Sequence, residues 1–266
     1  MRLKTVCFLI AFAILAFPSL SQNDMASYWI NKGIALDNMG NYEEAARAYQ
    51  NATAENSSSY MAWNYLGLDL INLGKYNESI AAFDKVISIE PGFAWAAWNN
   101  KGMALAAISR FRDAVDAYDN AIKMDPNNVK AWNNKGIALL RSGDINESVK
   151  SFNKAIELDP NSALTWYYLG LALLNTGKFN ESANALDSAV KIDPKLAMAW
   201  NYRGVALLNL NRTQESIESF DNATIADPNY SEAWNNLGLT LNAAGRYQDA
   251  ISAFDKAIAA KRKEAS

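Results

Sequence analysis

The chain is 266 residues long, carries a formal net charge of −3, and contains one cysteine, Cys7, and no histidine. Without histidine no Ser-His-Asp or Cys-His set can exist, and one cysteine supports neither an internal disulfide nor a cysteine-rich zinc site. The mildly acidic balance argues against nucleic acid or an anionic membrane face as the main partner.

The first 21 residues read as a secretory signal. Met1-Arg2-Leu3-Lys4 is a short basic region, Val6 to Phe17 is uninterrupted and apolar, and Pro18-Ser19-Leu20-Ser21 is small and turn-prone. The apolar run falls short of the roughly 20 residues that span a bilayer, so cleavage near Ser21 is expected. Retention as an N-terminal membrane tether is the alternative. The released chain, free of cysteine and with no membrane insertion, holds together by packing alone, outside the cell or in its envelope.

From Ala26 onward one pattern returns every 34 positions. Trp29, Trp63, Trp98, Trp132, Trp166, Trp200 and Trp234 are each followed four residues later by a glycine, from Gly33 to Gly238. Only the step from Trp63 to Trp98 is longer, by one residue, which the Glu90–Ala94 loop absorbs at little entropic cost. The units are 26–59, 60–94, 95–128, 129–162, 163–196, 197–230 and 231–260, followed by a tail, 261–266. No linker separates them, so one continuous domain is expected.

The unit 129–162 shows the logic. Apolar residues fall at helical spacing from Trp132 to Leu140 and from Ile145 to Leu158, separated by Ser142-Gly143-Asp144 and closed by Asp159-Pro160. Proline has no N–H to donate and biases the residue before it away from helix, so the second helix stops there. Gly136 and Ser148 are small where the helices cross, and Phe152 supplies bulk. One such hairpin cannot bury its apolar face, whereas a stack can, and a period of this length is the mark of an α-solenoid.

With its Trp, Leu, Gly, aromatic, Ala and Pro positions, here Trp132, Leu139, Gly136, Phe152, Ala155 and Pro160, the pattern resembles the tetratricopeptide repeat (TPR) family from Ala26 to about Ala260. Trp-Asn-Asn-Lys-Gly at 98–102 and 132–136 looks like its prokaryotic members. The resemblance implies an all-α solenoid of seven tandem helix-turn-helix repeats in a right-handed superhelix. Three departures stand out: Ser57 in place of the first proline, Asp69 where a small alanine is usual, and Leu186 where an aromatic is usual. Such arrays commonly end in a polar helix, absent after the last unit, so either a monomer or an end-to-end dimer is expected.

The resemblance also places a binding groove along the first helix of each pair. Projected from each tryptophan, the residues one and five positions later share a face. They are Asn64, Asn99, Asn133, Tyr167, Asn201 and Asn235 in one row, and Leu68, Met103, Ile137, Leu171 and Val205 in the other. Amides donate to and accept from a peptide backbone whatever its side chains, which suits a neutral, partly apolar peptide. The same residues also read as helix core and family habit. Relatives that clamp a terminal carboxylate use Lys one after Trp and Asn five after it; no unit has that pair, and Lys130 alone resembles a fragment of it.

Asn-x-Ser/Thr triplets at Asn51, Asn56, Asn77, Asn146, Asn180, Asn211, Asn222 and Asn229 are glycosylation candidates in an exported chain. Alternatively, serine simply replaces the small alanine of the crossing. Once-per-unit acids such as Glu147 and Glu215 stand at helix starts, where the dipole favours them, and do not form an acid/base pair. No cofactor, metal or catalytic residue is expected. The reading is a non-catalytic protein-interaction scaffold that binds an extended or helical peptide segment, with another protein or peptide as partner. The rival is a glycan or cell-wall binder stacking sugars on Trp95, Tyr167, Tyr168 and Tyr202.

Overall fold

A computed structural model describes residues 22–264; the expected leader over 1–21 and the last two residues of the tail lie outside the described residues. The described chain is helical throughout and, among those residues, holds no strand. The helices form seven hairpins: α1 (Gln22–Asp37) with α2 (Tyr42–Glu55), α3 (Tyr60–Asn72) with α4 (Tyr76–Ile89), α5 (Trp95–Ala107) with α6 (Phe111–Met124), and α7 (Val129–Ser142) with α8 (Ile145–Leu158). They continue with α9 (Ala163–Asn175) and α10 (Phe179–Ile192), α11 (Ala197–Asn209) and α12 (Thr213–Ala226), and α13 (Ser231–Ala243) and α14 (Tyr247–Glu264). The extra residue of the second unit is taken up by a 3-10 turn, Pro91–Phe93.

Each hairpin reverses through one residue of positive φ: Gly40, Gly74, Ser109, Gly143, Gly177, Asn211 and Gly245. The residue that follows donates its N–H to the carbonyl five residues back, as Asp144 does to Leu139 at 2.9 Å, and so satisfies a carbonyl left open at the helix end. From the third hairpin onward the chain turns between hairpins at Asp-Pro, at 125–126, 159–160, 193–194 and 227–228. Asp159 Oδ1 accepts the Asn161 N–H at 3.0 Å, and the Trp166 indole N–H donates to the Pro160 carbonyl at 2.9 Å. Trp132, Trp200 and Trp234 repeat that indole bond to Pro126, Pro194 and Pro228, and Trp63 makes it to Ser57, the residue standing where a proline is usual. These five tryptophans thus strap their own helices to the joints before them.

Inside a hairpin the glycine and the aromatic explain one another. A Cβ on Gly136 would lie 2.6 Å from the fully buried Phe152 ring, so only a bare backbone lets the ring pass. Leu186, the non-aromatic departure, fills the same place against Gly170. The buried serines are bonded as well as small: Ser79, Ser148, Ser182 and Ser216 each donate to the crossing glycine's carbonyl at 2.8–2.9 Å.

Each second helix packs on the first helix of the next hairpin, and the first helices of neighbouring hairpins also meet, α3 with α5, α5 with α7, α7 with α9 and α9 with α11. The first helices therefore form the closer, inner layer and the second helices the splayed outer one, which curves the stack. Cations three residues past the tryptophan stitch successive units. Lys101 pairs with Asp84 at 2.6 Å, Lys135 with Asp119 at 2.5 Å, and Arg203 with Asp187 at 3.4 Å, each cation also lying over its own unit's tryptophan. These partly exposed pairs contribute about 0–1 kcal/mol each, so apolar packing carries the stack.

Candidate functional site

The inner face is built where the first helices turn away from their tryptophans. Positions two before and five after each tryptophan lie seven residues apart, about two turns, on a stripe roughly 150° around the helix from the indole. On that stripe Met61, Met103, Leu164, Met198 and Leu239 are exposed, with Leu68, Ile137, Leu171 and Val205 half-buried between them. A mainly apolar row, several of its members methionine, therefore runs along the inner layer, interrupted by the exposed charges of Lys130 and Glu232, which stand two before Trp132 and Trp234. The row two before the tryptophan was missed in the sequence, although its spacing to the predicted aliphatic row is helical.

The predicted amide row sits deeper than the aliphatic one. Asn99 and Asn201 are buried, and their carbonyl oxygens accept from Asn134 and Asn236 of the following unit at 3.2 and 3.0 Å. Asn133 donates to Thr165 Oγ1 at 2.7 Å, and Asn201 donates to the Tyr230 hydroxyl and to Glu232 at 3.2 Å. Asn64 and Asn133 are half-buried and Asn235 is exposed. The amides thus form a ladder between units, and the exposed stripe beside them is largely apolar.

Tyr167, Tyr168 and Tyr202 do come together, but on one another. Ring centroids lie 5.0 Å apart for Tyr167–Tyr168 and 6.0 Å for Tyr167–Tyr202, while Tyr168 stacks on Phe152. Tyr167 is buried. Burial first, then the neighbouring phenols and Glu232, raise the hydroxyls of Tyr167 and Tyr230 well above the ordinary tyrosine range. They stay neutral hydrogen-bonding groups. Trp95 is exposed at 41%, far along the array from that cluster.

The repeated acids stand at the first turn of the second helices. Arg110, Arg212 and Arg246 grip Asp113, Glu215 and Asp249 three residues on, and Arg212 holds the Glu215 carboxyl below its usual value. Of the eight triplet asparagines, Asn51, Asn77, Asn146, Asn180, Asn211 and Asn229 are exposed, and Asn56 and Asn222 are half-buried. Shallow clefts of about 380–490 Å³ recur on the outer face, for example around Val149, Trp166 and Glu181. Among the described residues no group of three or more acids or cysteines is placed to hold a metal ion, and no helix is long and apolar enough to cross a membrane.

The profile of the tetratricopeptide repeat family matches residues 30–94, 99–163, 167–231 and 206–265, nearly all of the described array. The chain belongs to the tetratricopeptide repeat family. Among solved structures this TPR array is similar to MamA, at 26% identity over 62% of this chain and 96% of that one, with a TM-score of 0.58. It also resembles YrrB, described as a TPR protein with an unusual peptide-binding site, at 20% identity over 71% and 96% of the two chains and a TM-score of 0.60. A TPR protein from Parabacteroides merdae superimposes over 88% of this chain and 93% of its own with a TM-score of 0.68 at 14% identity. The last two, being under a quarter identical, speak to the solenoid fold alone.

Proposed function

We propose that this TPR protein is an exported, non-catalytic scaffold that holds an extended or helical peptide segment of another protein against its first helices. The observation that carries this reading is the exposed inner stripe of Met61, Met103, Leu164, Met198 and Leu239. Flexible thioethers adapt to differently shaped apolar side chains. A stripe repeated along a preformed curve also lowers the entropic cost of ordering a partner along it. With Asn99 and Asn201 spent inside the ladder and Asn133 bonded to Thr165, Asn64 and Asn235 remain to meet the partner's backbone.

The basic, apolar, small-residue order of the leader supports export. The exposed asparagines are proposed as carbohydrate acceptors in a host that modifies such triplets.

The experiment is a selection of random peptides on the full chain, with the recovered peptides then titrated against Met103→Asp/Leu239→Asp. Both side chains are exposed, so the variant keeps its melting temperature. Burying one carboxylate against an apolar contact costs several kcal/mol, and binding should weaken by about a hundred-fold. Peptides that bind the variant equally well would place recognition elsewhere on the array.

A further inference from the structure

Between the first and second hairpins lies a feature that the other joints lack. Asp69, on α3, occupies the position where later units have Ala104, Ala138, Ala172 and Ala206, and its side chain is only 2% exposed. Across the joint, on α1, stands Asp37, within hydrogen-bonding reach of it. The Tyr49 hydroxyl, from α2, donates to Asp37 Oδ2 at 2.6 Å. That leaves one buried oxygen on each carboxyl, Asp37 Oδ1 and Asp69 Oδ2, with no hydrogen-bond partner. Two ionised carboxylates in such a place would repel, and each would keep an unsatisfied buried oxygen. One proton held between them removes both penalties.

Among the described residues no cation is placed against the pair. From α1 the pair is faced by Asp37 itself, from α2 by Tyr49, and α3 adds Tyr65, stacked on Tyr49 with centroids 5.3 Å apart. Arg47 on α2, and Lys75, Glu78, Asp84 and Lys85 in or next to α4, are exposed, while Lys101 on α5 is drawn to Asp84. The remaining neighbours, Ile34, Leu66, Leu70 and Ala82, are apolar.

We propose that Asp37 and Asp69 share one proton and form a latch for the first helix pair, which stays docked while the proton is held and detaches once it is lost. Detachment of α1 and α2 uncovers Leu66, Leu70 and Ala82 on the second hairpin, changing the length of array open to a partner. Burial, then the hydrogen bond and charge of Asp37, push the Asp69 carboxyl from its ordinary 3.8 up to about 8. Once the first hairpin has detached, Asp69, left on α3, returns to the ordinary value. A folded-state value raised in this way stabilises docking fully below about pH 4, and that stabilisation is lost as the pH rises through about 8.

The test is hydrogen exchange on the full chain between pH 5 and pH 9, corrected for intrinsic exchange rates, in the natural protein and in Asp69→Ala and Asp69→Asn. Alanine is what later units carry at this position, and asparagine is neutral at every pH, so the two variants guard against a simple folding failure. In the natural protein the opening constant of α1 and α2 rises about ten-fold per pH unit up to pH 8 and then levels, while α9 to α12 do not follow. In both variants the first hairpin's opening is flat across the range. A rise of equal steepness in the variants, or none in the natural protein, would overturn the latch. So would re-docking at pH 9 on adding calcium chloride, which would make the pair a cation site instead.

Discussion

At Gly136 the missing Cβ is filled by the edge of Phe152, and every hairpin repeats this exchange of bulk for bareness. Alanine is the better helix former by about 1 kcal/mol, yet the buried ring has no free volume into which to withdraw. Gly136→Ala is therefore expected to destabilise the chain by about 1–2 kcal/mol net, read as a lower urea midpoint. The glycine, the serine and the aromatic were all legible as a size pattern at the crossing. What size could not convey is that the serine hydroxyl is itself bonded, donating to the glycine carbonyl, as Ser148 does at 2.9 Å. That bond gives the serines of Asn77-Glu-Ser79, Asn146-Glu-Ser148 and Asn180-Glu-Ser182 a structural reason to exist, independent of carbohydrate.

Helix ends were readable wherever the turn chemistry was standard. The break at Asp159-Pro160 and the glycine turn at 143 are both where their backbone requirements place them. Ser109 and Asn211 adopt the same left-handed turn without glycine; asparagine is the usual substitute for glycine there, whereas nothing in the Ser109 side chain signals it. The amide row was visible as a row but not as a ladder. Its bonds run from the second position after one tryptophan to the first position after the preceding one, as from Asn236 to Asn201, so they depend on how two units stack and not on either unit alone. This separates two asparagines that look alike in the sequence. Asn236→Ala leaves the buried Asn201 oxygen without its donor and should cost about 1–3 kcal/mol in chemical denaturation. Asn235→Ala, on an exposed side chain, should stay within about 0.5 kcal/mol of the natural protein. The Asp37–Asp69 pair escaped the sequence for a similar reason, since it joins two units through residues with no counterpart elsewhere in the array.

At the scale of the molecule, each hairpin is completed by the next. Ile217 is buried under the seventh hairpin, whereas the corresponding Ile251 on α14 is 55% exposed, no described helix following it. Curvature brings the first helices together and turns their exposed stripe inward, so a surface that no single unit possesses arises from the stack. The most direct measurement is methionine-methyl NMR of the full chain, titrated with a peptide selected from a random library on that same chain. Met61, Met103 and Met198 lie on the inner stripe, while Met39, in the turn after α1, and Met124, at the end of α6, lie off it. The account predicts that at least one of the three inner methyls shifts on binding while Met39 and Met124 stay in place. Shifts at Met39 or Met124 with the inner three unmoved would contradict it.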